Sequence, residues 1–261
     1  MLGSGTSHGV PMIGCDCAVC HSDDPRDRRS RPSILIEVRG GAPQGSAVAA
    51  DVRSILVDTS TDLRAQALAH DLRRVDAILF THSHADHVLG LDEVRRFNIL
   101  KKGAIPFFAD GKTIADLRQT FSYIFAPTRG PGGGVPELVP FRIGGPFSLA
   151  GIEIVPIPLL HGQRLILGFR LGTFAYLTDC SAIPDSSWPL LDGVQVVILD
   201  ALRHKPHPTH FTVEQALDAL ARMKPRQAYL THICHDLPHA ATGAALPAGV
   251  ELAYDGLTLE F

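Results

Sequence analysis

Ten short apolar or β-branched runs punctuate the chain, at 33–38, 54–58, 76–81, 105–109, 152–160, 166–171, 174–178, 195–200, 228–232 and 250–254. They are too short for buried helices and are bounded by polar or turn residues, so they predict strands. Helical spacing appears at about 62–73, 90–98, 112–121 and 212–223, the last opening on Thr212 as a cap with Glu214 in its first turn. This mixture predicts an α/β fold. Two glycine- and proline-rich stretches, 40–47 and 126–136, read as surface loops, one a hairpin tip and the other a lid. With no internal repeat and no boundary signal, the expectation is one domain over 1–261.

Composition narrows the function classes. A chain of 261 residues, 45% apolar and 20% charged, can bury a sizeable core. Its net charge of −3 predicts no general affinity for nucleic acid or membrane, because counterion release needs a concentrated basic surface. No stretch approaches the roughly 18 to 20 apolar residues of a membrane span, and the start lacks a signal-peptide pattern. A cytoplasmic location is the resulting default.

Residues 81–90 change the picture. Thr-His-Ser-His-Ala-Asp-His-Val-Leu-Gly sets His82, His84, Asp86 and His87 directly after the apolar run Asp76-Ala77-Ile78-Leu79-Phe80. Four polar groups this close to a buried strand each need a partner, and a divalent cation supplies one. Imidazole and carboxylate suit Zn²⁺, Mn²⁺ or Fe²⁺, and the spacing lets His82 and His84 face one ion while Asp86 and His87 face a second.

This His-x-His-x-Asp-His run resembles the signature of the metallo-β-lactamase superfamily. Further residues fall where that family needs them: Asp58, His161, Asp179 and His232, each ending an apolar run, in the expected order. The resemblance implies a four-layer αββα sandwich and a binuclear centre. His82, His84 and His161 would bind one ion, Asp86, His87 and His232 the other, with Asp179 bridging them and Asp58 orienting a ligand histidine. Related chains usually begin several residues before the turn Leu2-Gly3-Ser4-Gly5-Thr6-Ser7-His8-Gly9 with a short strand. Either this start falls late or that edge strand is reduced.

Cys15, Cys17 and Cys20 place three thiols within six residues, which in a reducing compartment points to metal rather than disulfides and calls for a fourth ligand. Within the superfamily the arrangement is similar to the cyclic-phosphate phosphodiesterases of phosphonate degradation, which implies His235 as the fourth ligand of a structural Zn²⁺. The segment Asp24-Pro25-Arg26-Asp27-Arg28-Arg29-Ser30-Arg31-Pro32-Ser33 also resembles that subgroup and reads either as a solvated charged loop or as a phosphate-steering element. Cys180 and Cys234 read as small buried residues, with Cys234 a competing ligand.

His210-x-Thr212 is similar to an element that phosphodiesterases of this superfamily place beside their metals. There His210 would contact a phosphoryl oxygen or protonate the leaving alkoxide. Arg203, His204 and His207 read as flanking surface residues. The resemblance thus implies a metal-dependent phosphoric diester hydrolase. A hydroxide bridging two ions, Mn²⁺ or Zn²⁺, would open a small cyclic phosphate such as phosphoribosyl 1,2-cyclic phosphate.

Three alternatives share the metal signature. A transfer-RNA 3′-processing-like endoribonuclease needs an arm between His161 and Asp179, where only the seventeen residues 162–178 stand. A β-lactamase usually has cysteine in place of Asp179 and lacks a histidine at the position of His87. A thioesterase or lactonase is separated mainly by the thiols and His210, which favour phosphate. The expected partner is a small phosphorylated substrate, with a homodimer suggested only by related enzymes.

Overall fold

The computed structural model of the chain describes residues 1–39, 52–126 and 134–261. The expected loop at 40–47 lies outside the described residues, as does 127–133 of the expected loop at 126–136. The chain divides into two compact units. One comprises Ser33–Gly144 and Ser148–Ile152; the other comprises Met1–Pro32, Gly145–Phe147 and Glu153–Phe261.

The first unit is built on a five-stranded sheet of β1 (Ile34–Arg39), β2 (Val52–Val57), β3 (Ala77–Leu79), β4 (Ile105–Ala109) and β5 (Leu138–Arg142), in that order. Strands β1 and β2 pair antiparallel with Ile36 opposite Ile55, and the remaining pairs are parallel. Parallel strands need crossovers, here provided by helices α1 (Leu63–Ala69), α2 (Ala85–Val88), α3 (Val94–Lys101), α4 (Gly111–Thr120) and α5 (Ser122–Phe125). Ala77, Ile78 and Leu79 of β3 are all buried, which is why the strand before the histidine run reads as uninterrupted apolar sequence.

Gly90 holds this unit's histidine loop close to the turn after β2. Its N–H donates to Thr59 O at 2.9 Å, and a Cβ there would stand 2.1 Å from Ser60 O. Gly90→Ala is therefore expected to cost about 1–3 kcal/mol through overpacking, read as a lower urea midpoint with the slope unchanged.

The second sheet runs in the order β12-β11-β10-β9-β8-β7-β6: β6 (Phe147–Leu149), β7 (Ile152–His161), β8 (Arg164–Leu171), β9 (Phe174–Leu177), β10 (Val196–Asp200), β11 (Gln227–Thr231) and β12 (Val250–Leu252). Every residue of β10 is buried between its parallel neighbours β9 and β11. Helix α6 (Val213–Met223) covers this sheet with Val213, Ala216, Ala219 and Leu220 in the same core as Val197, Leu199 and Leu230. A capping box starts it: Thr212 Oγ1 accepts from Gln215 N at 3.1 Å and Gln215 Oε1 accepts from Thr212 N at 2.9 Å. Helix α7 (His239–Ala245) follows β11.

All ten expected strands are present within a few residues of their expected bounds; the helix expected at 62–73 is trimmed to Leu63–Ala69, and the one expected at 90–98 is displaced to Val94–Lys101. Strands β5 and β6 and helices α2, α5 and α7 are additions. The chain start forms an isolated parallel bridge, Gly5 to Ile233, rather than a full strand.

Candidate active site

Each sheet delivers its chemistry at strand ends. Asp58 after β2, and Asp179 and His232 in the other unit after β9 and β11, all take a left-handed backbone, with φ of 62°, 61° and 61°. Non-glycine residues rarely adopt that conformation, and it concentrates at functional sites, where the surrounding structure holds it in place.

In the five-stranded unit, Asp58 organises the loop between β3 and α2. Its Oδ1 accepts from Thr81 N at 2.9 Å, and its Oδ2 accepts from Thr81 Oγ1 at 2.8 Å and lies 2.7 Å from His87 Nδ1. Burial pushes the Asp58 carboxyl up, and the adjacent His87 pulls it back. A carboxylate on Nδ1 fixes the ring so that Nε2 becomes the metal-facing donor. His87 Nε2 lies 3.4 Å from Asp86 Oδ2, and the His82 ring stands 4.5 Å from that of His84 and 4.2 Å from that of His87. All four expected donors of this loop are thus gathered in one place.

In the seven-stranded unit a second set converges. His161 closes β7 and its Nδ1 donates to Thr209 O at 2.8 Å, again directing Nε2 outward as a donor. His161, Asp179 and His210 each offer an atom within 4.8 Å of the others. His232 Nδ1 lies 2.9 Å from Asp179 Oδ1, and the His210 ring stacks on His232 with centroids 4.6 Å apart. Burial lowers the pKa of His161, which favours the neutral, metal-binding imidazole.

Asp200 was not among the sequence candidates. It ends β10 fully buried, lies 3.2 Å from His210 Nδ1 through Oδ1 and accepts from Phe211 N at 2.9 Å through Oδ2. Desolvation holds its carboxyl well above the usual range, partly offset by His232. The sequence signal was available, since Asp200 follows Val196-Val197-Ile198-Leu199 as Asp58 follows its own strand.

The thiols assemble as expected. His235 Nδ1 lies 3.2, 3.5 and 3.6 Å from the Sγ atoms of Cys15, Cys17 and Cys20. A tetrahedral Zn²⁺ with bonds of about 2.3 Å to sulfur and 2.0 Å to nitrogen puts such S···N edges at about 3.5 Å, so the donor set fits the ion. The Cys17 thiol is pulled down to about 6, chiefly by the Cys20 N–H that it accepts, while burial pushes Cys20 up to about 11. A cation among them would hold all three as thiolates. Cys180 and Cys234 are buried, and Cys234 Sγ accepts from Asp236 N at 3.3 Å outside the thiol cluster.

The charged segment 24–33 needs a correction. Arg29 is neither solvated nor a phosphate contact: it is 1% exposed. Its guanidinium donates to Cys234 O at 2.8 Å, Leu237 O at 2.7 Å and Asp27 Oδ1 at 2.8 Å. It therefore clamps the turn that follows His232 and contains His235. Arg29→Ala leaves two carbonyls and a buried carboxylate short of a donor and is expected to cost about 3–5 kcal/mol in thermal or urea unfolding; Asp27→Asn, which keeps an acceptor, should cost less.

Comparison with known proteins adds the family. The model of the beta-lactamase superfamily domain matches residues 53–233. An octanoyltransferase of Porphyromonas gingivalis is 35% identical over 259 residues, covering 98% of this chain and 50% of that protein. A ribonuclease Z of Bradyrhizobium is 28% identical over 151 residues, 56% of this chain and 45% of that one. The chain thus spans about half the length of the curated relatives it matches. Among solved structures, a diphosphatase of the PhnP family superposes with a TM-score of 0.87 at 46% identity, covering 100% of this chain and 95% of that one. Among the described residues, no helix is long and apolar enough to cross a membrane.

Proposed function

Because the chain belongs to the beta-lactamase superfamily and carries its metal-dependent hydrolase domain, we propose that it hydrolyses a small phosphodiester, such as a cyclic sugar phosphate, at a pair of divalent ions. His82, His84 and His161 would hold one ion and Asp86, His87 and His232 the other, with Asp179 serving both. The imidazole and carboxylate donors of each unit suit first-row divalent ions, so the residues fit the group the family implies. Bound there, such ions supply Lewis acidity and an activated water.

The protein's own residues then have separate tasks. Asp58 fixes the ring of His87. Asp200 Oδ1 would accept a hydrogen bond from His210 Nδ1–H, so that a protonated His210 would present its Nε2 proton to the departing oxygen. Thr209 O sets the tautomer of His161 in the same way. The observation that carries the phosphodiester reading is His210, buried and stacked on His232, with a carboxylate behind it. The thiol set with His235 is assigned to a structural Zn²⁺.

The experiment is a substrate panel for the Mn²⁺- or Zn²⁺-loaded protein: bis-p-nitrophenyl phosphate, ribose 1,2-cyclic phosphate, an octanoyl thioester and a lactone. Cleavage of the two diesters ahead of the esters is expected. Turnover of the thioester or lactone alone would replace this reading with acyl-ester hydrolysis, a possibility also raised by the name of the Porphyromonas gingivalis relative.

A further inference from the structure

The histidine loop of the five-stranded unit carries a polar residue outside the expected ligand set. Ser83 stands between His82 and His84, where the chain runs extended into α2, with φ −69° and ψ 154° at His84. Side chains alternate along extended backbone, and the two imidazoles share a side, their ring centroids 4.5 Å apart. Ser83 thus faces the back of the loop. There its Oγ donates to Asp116 Oδ2 at 2.5 Å. Asp116 belongs to the middle of α4, a helix pinned by its cap Asp110, which accepts from Thr113 N at 2.8 Å, and by the fully buried Thr113 and Leu117. Lys112, one turn earlier, donates to both oxygens of the Asp116 carboxylate at 3.1 Å and balances its charge.

Other anchors of this loop come from β2 and the turn after it. Asp58 accepts from Thr81 N and Oγ1, and Thr61 Oγ1 donates to Ala85 O at 3.1 Å. Asp116 reaches the loop between those two points, from a different helix. As a surface ion pair with Lys112 alone it would matter little. A hydrogen bond to a carboxylate is roughly twice as strong as a neutral one, and here the carboxylate is carried on a fixed element, so it restrains the residue it holds. We infer that Asp116, acting through Ser83, is a positioning residue that presets the spacing of His82 and His84 for the ion they would share. The inference rests on the metal-pair reading given above and deepens it, because outer partners of ligand residues typically change metal affinity by about ten- to hundredfold. Alternation keeps Ser83 away from the ion, and the same alternation delivers its hydroxyl to the helix behind.

The test titrates Co²⁺ into the metal-stripped full chain. Cobalt held by thiolates gives a sulfur-to-metal charge-transfer band in the near ultraviolet, whereas cobalt held by imidazole and carboxylate gives only weak visible bands, so the two kinds of site report separately. Asp116→Ala and Ser83→Ala should each weaken the imidazole–carboxylate site by about ten- to hundredfold and leave the thiol titration unchanged. The double variant should lose no more than the weaker-binding single variant, since both changes remove one contact. Asp116→Asn keeps an acceptor for Ser83 and should recover part of the affinity, and Lys112→Ala should stay near the wild type. Wild-type affinity and spectrum in Asp116→Ala overturn the proposal. An equal weakening of both kinds of site together with a lower urea midpoint also overturns it, being the mark of general destabilisation. If the wild type takes up Co²⁺ at the thiols alone, the metal-pair reading itself fails, and the proposal falls with it.

Discussion

Asp179→Asn should abolish turnover, by a factor of about 10³ or more, and lower the divalent-metal content of the purified protein at the same time. Asp179 is 2% exposed, its Oδ1 accepts from Thr178 Oγ1 at 2.8 Å and lies 2.9 Å from His232 Nδ1, and its backbone is held at φ 61°. An amide has the same shape and leaves that local geometry intact, yet it carries no negative charge to offset two cations and is a far poorer ligand. The variant should therefore fold with an ordinary unfolding midpoint while metal and activity fall together. Metal analysis and diester turnover on one preparation provide the check. Wild-type metal content with wild-type turnover would remove Asp179 from the centre.

His210→Ala should lower kcat by about 10²–10⁴-fold, the usual contribution of a positioned general acid. Metal content should stay near the wild-type value, which separates its role from that of Asp179. Two controls sharpen the assignment. Asp200→Asn keeps an acceptor for Phe211 N but removes the charge behind His210, so it should give a smaller loss in kcat than His210→Ala. Changing the leaving group provides the second: a p-nitrophenolate departs without a proton, so bis-p-nitrophenyl phosphate should suffer less from His210→Ala than a sugar diester. Equal losses on both would argue that His210 holds structure or metal.

Much of this arrangement was legible in the sequence because the chemistry sits where the hydrophobic pattern breaks. Asp58, His161, Asp179 and His232 each terminate an apolar run, and the histidine loop follows β3 without a spacer. Strand β5 escaped because Pro140 interrupts Leu138–Arg142; proline is tolerated there because β5 is an edge strand, paired on one side with β4. Helix α7 escaped because His-Ala-Ala-Thr-Gly-Ala-Ala has small residues on every side and no apolar stripe.

The other omissions concern burial, which sequence pattern reports poorly for charged residues. Arg29 sits among six other charged residues between Asp23 and Arg31, and its burial depends on the carbonyls of Cys234 and Leu237, more than two hundred positions away, as well as on Asp27. Asp200 is likewise defined by His210 and Phe211, which reach it from the loop before α6. Long-range partners of this kind leave no local spacing to read.

The proposed function is that of a metal-dependent phosphodiesterase whose structural ion is separate from its catalytic pair. Elemental analysis of the purified protein, paired with turnover of bis-p-nitrophenyl phosphate before and after chelation, tests it most directly. About three divalent ions per chain are expected, following the binuclear site and the single thiol site. Diester cleavage should disappear on chelation and return with Mn²⁺ or Zn²⁺. Diester cleavage that persists in fully metal-free protein would contradict the account.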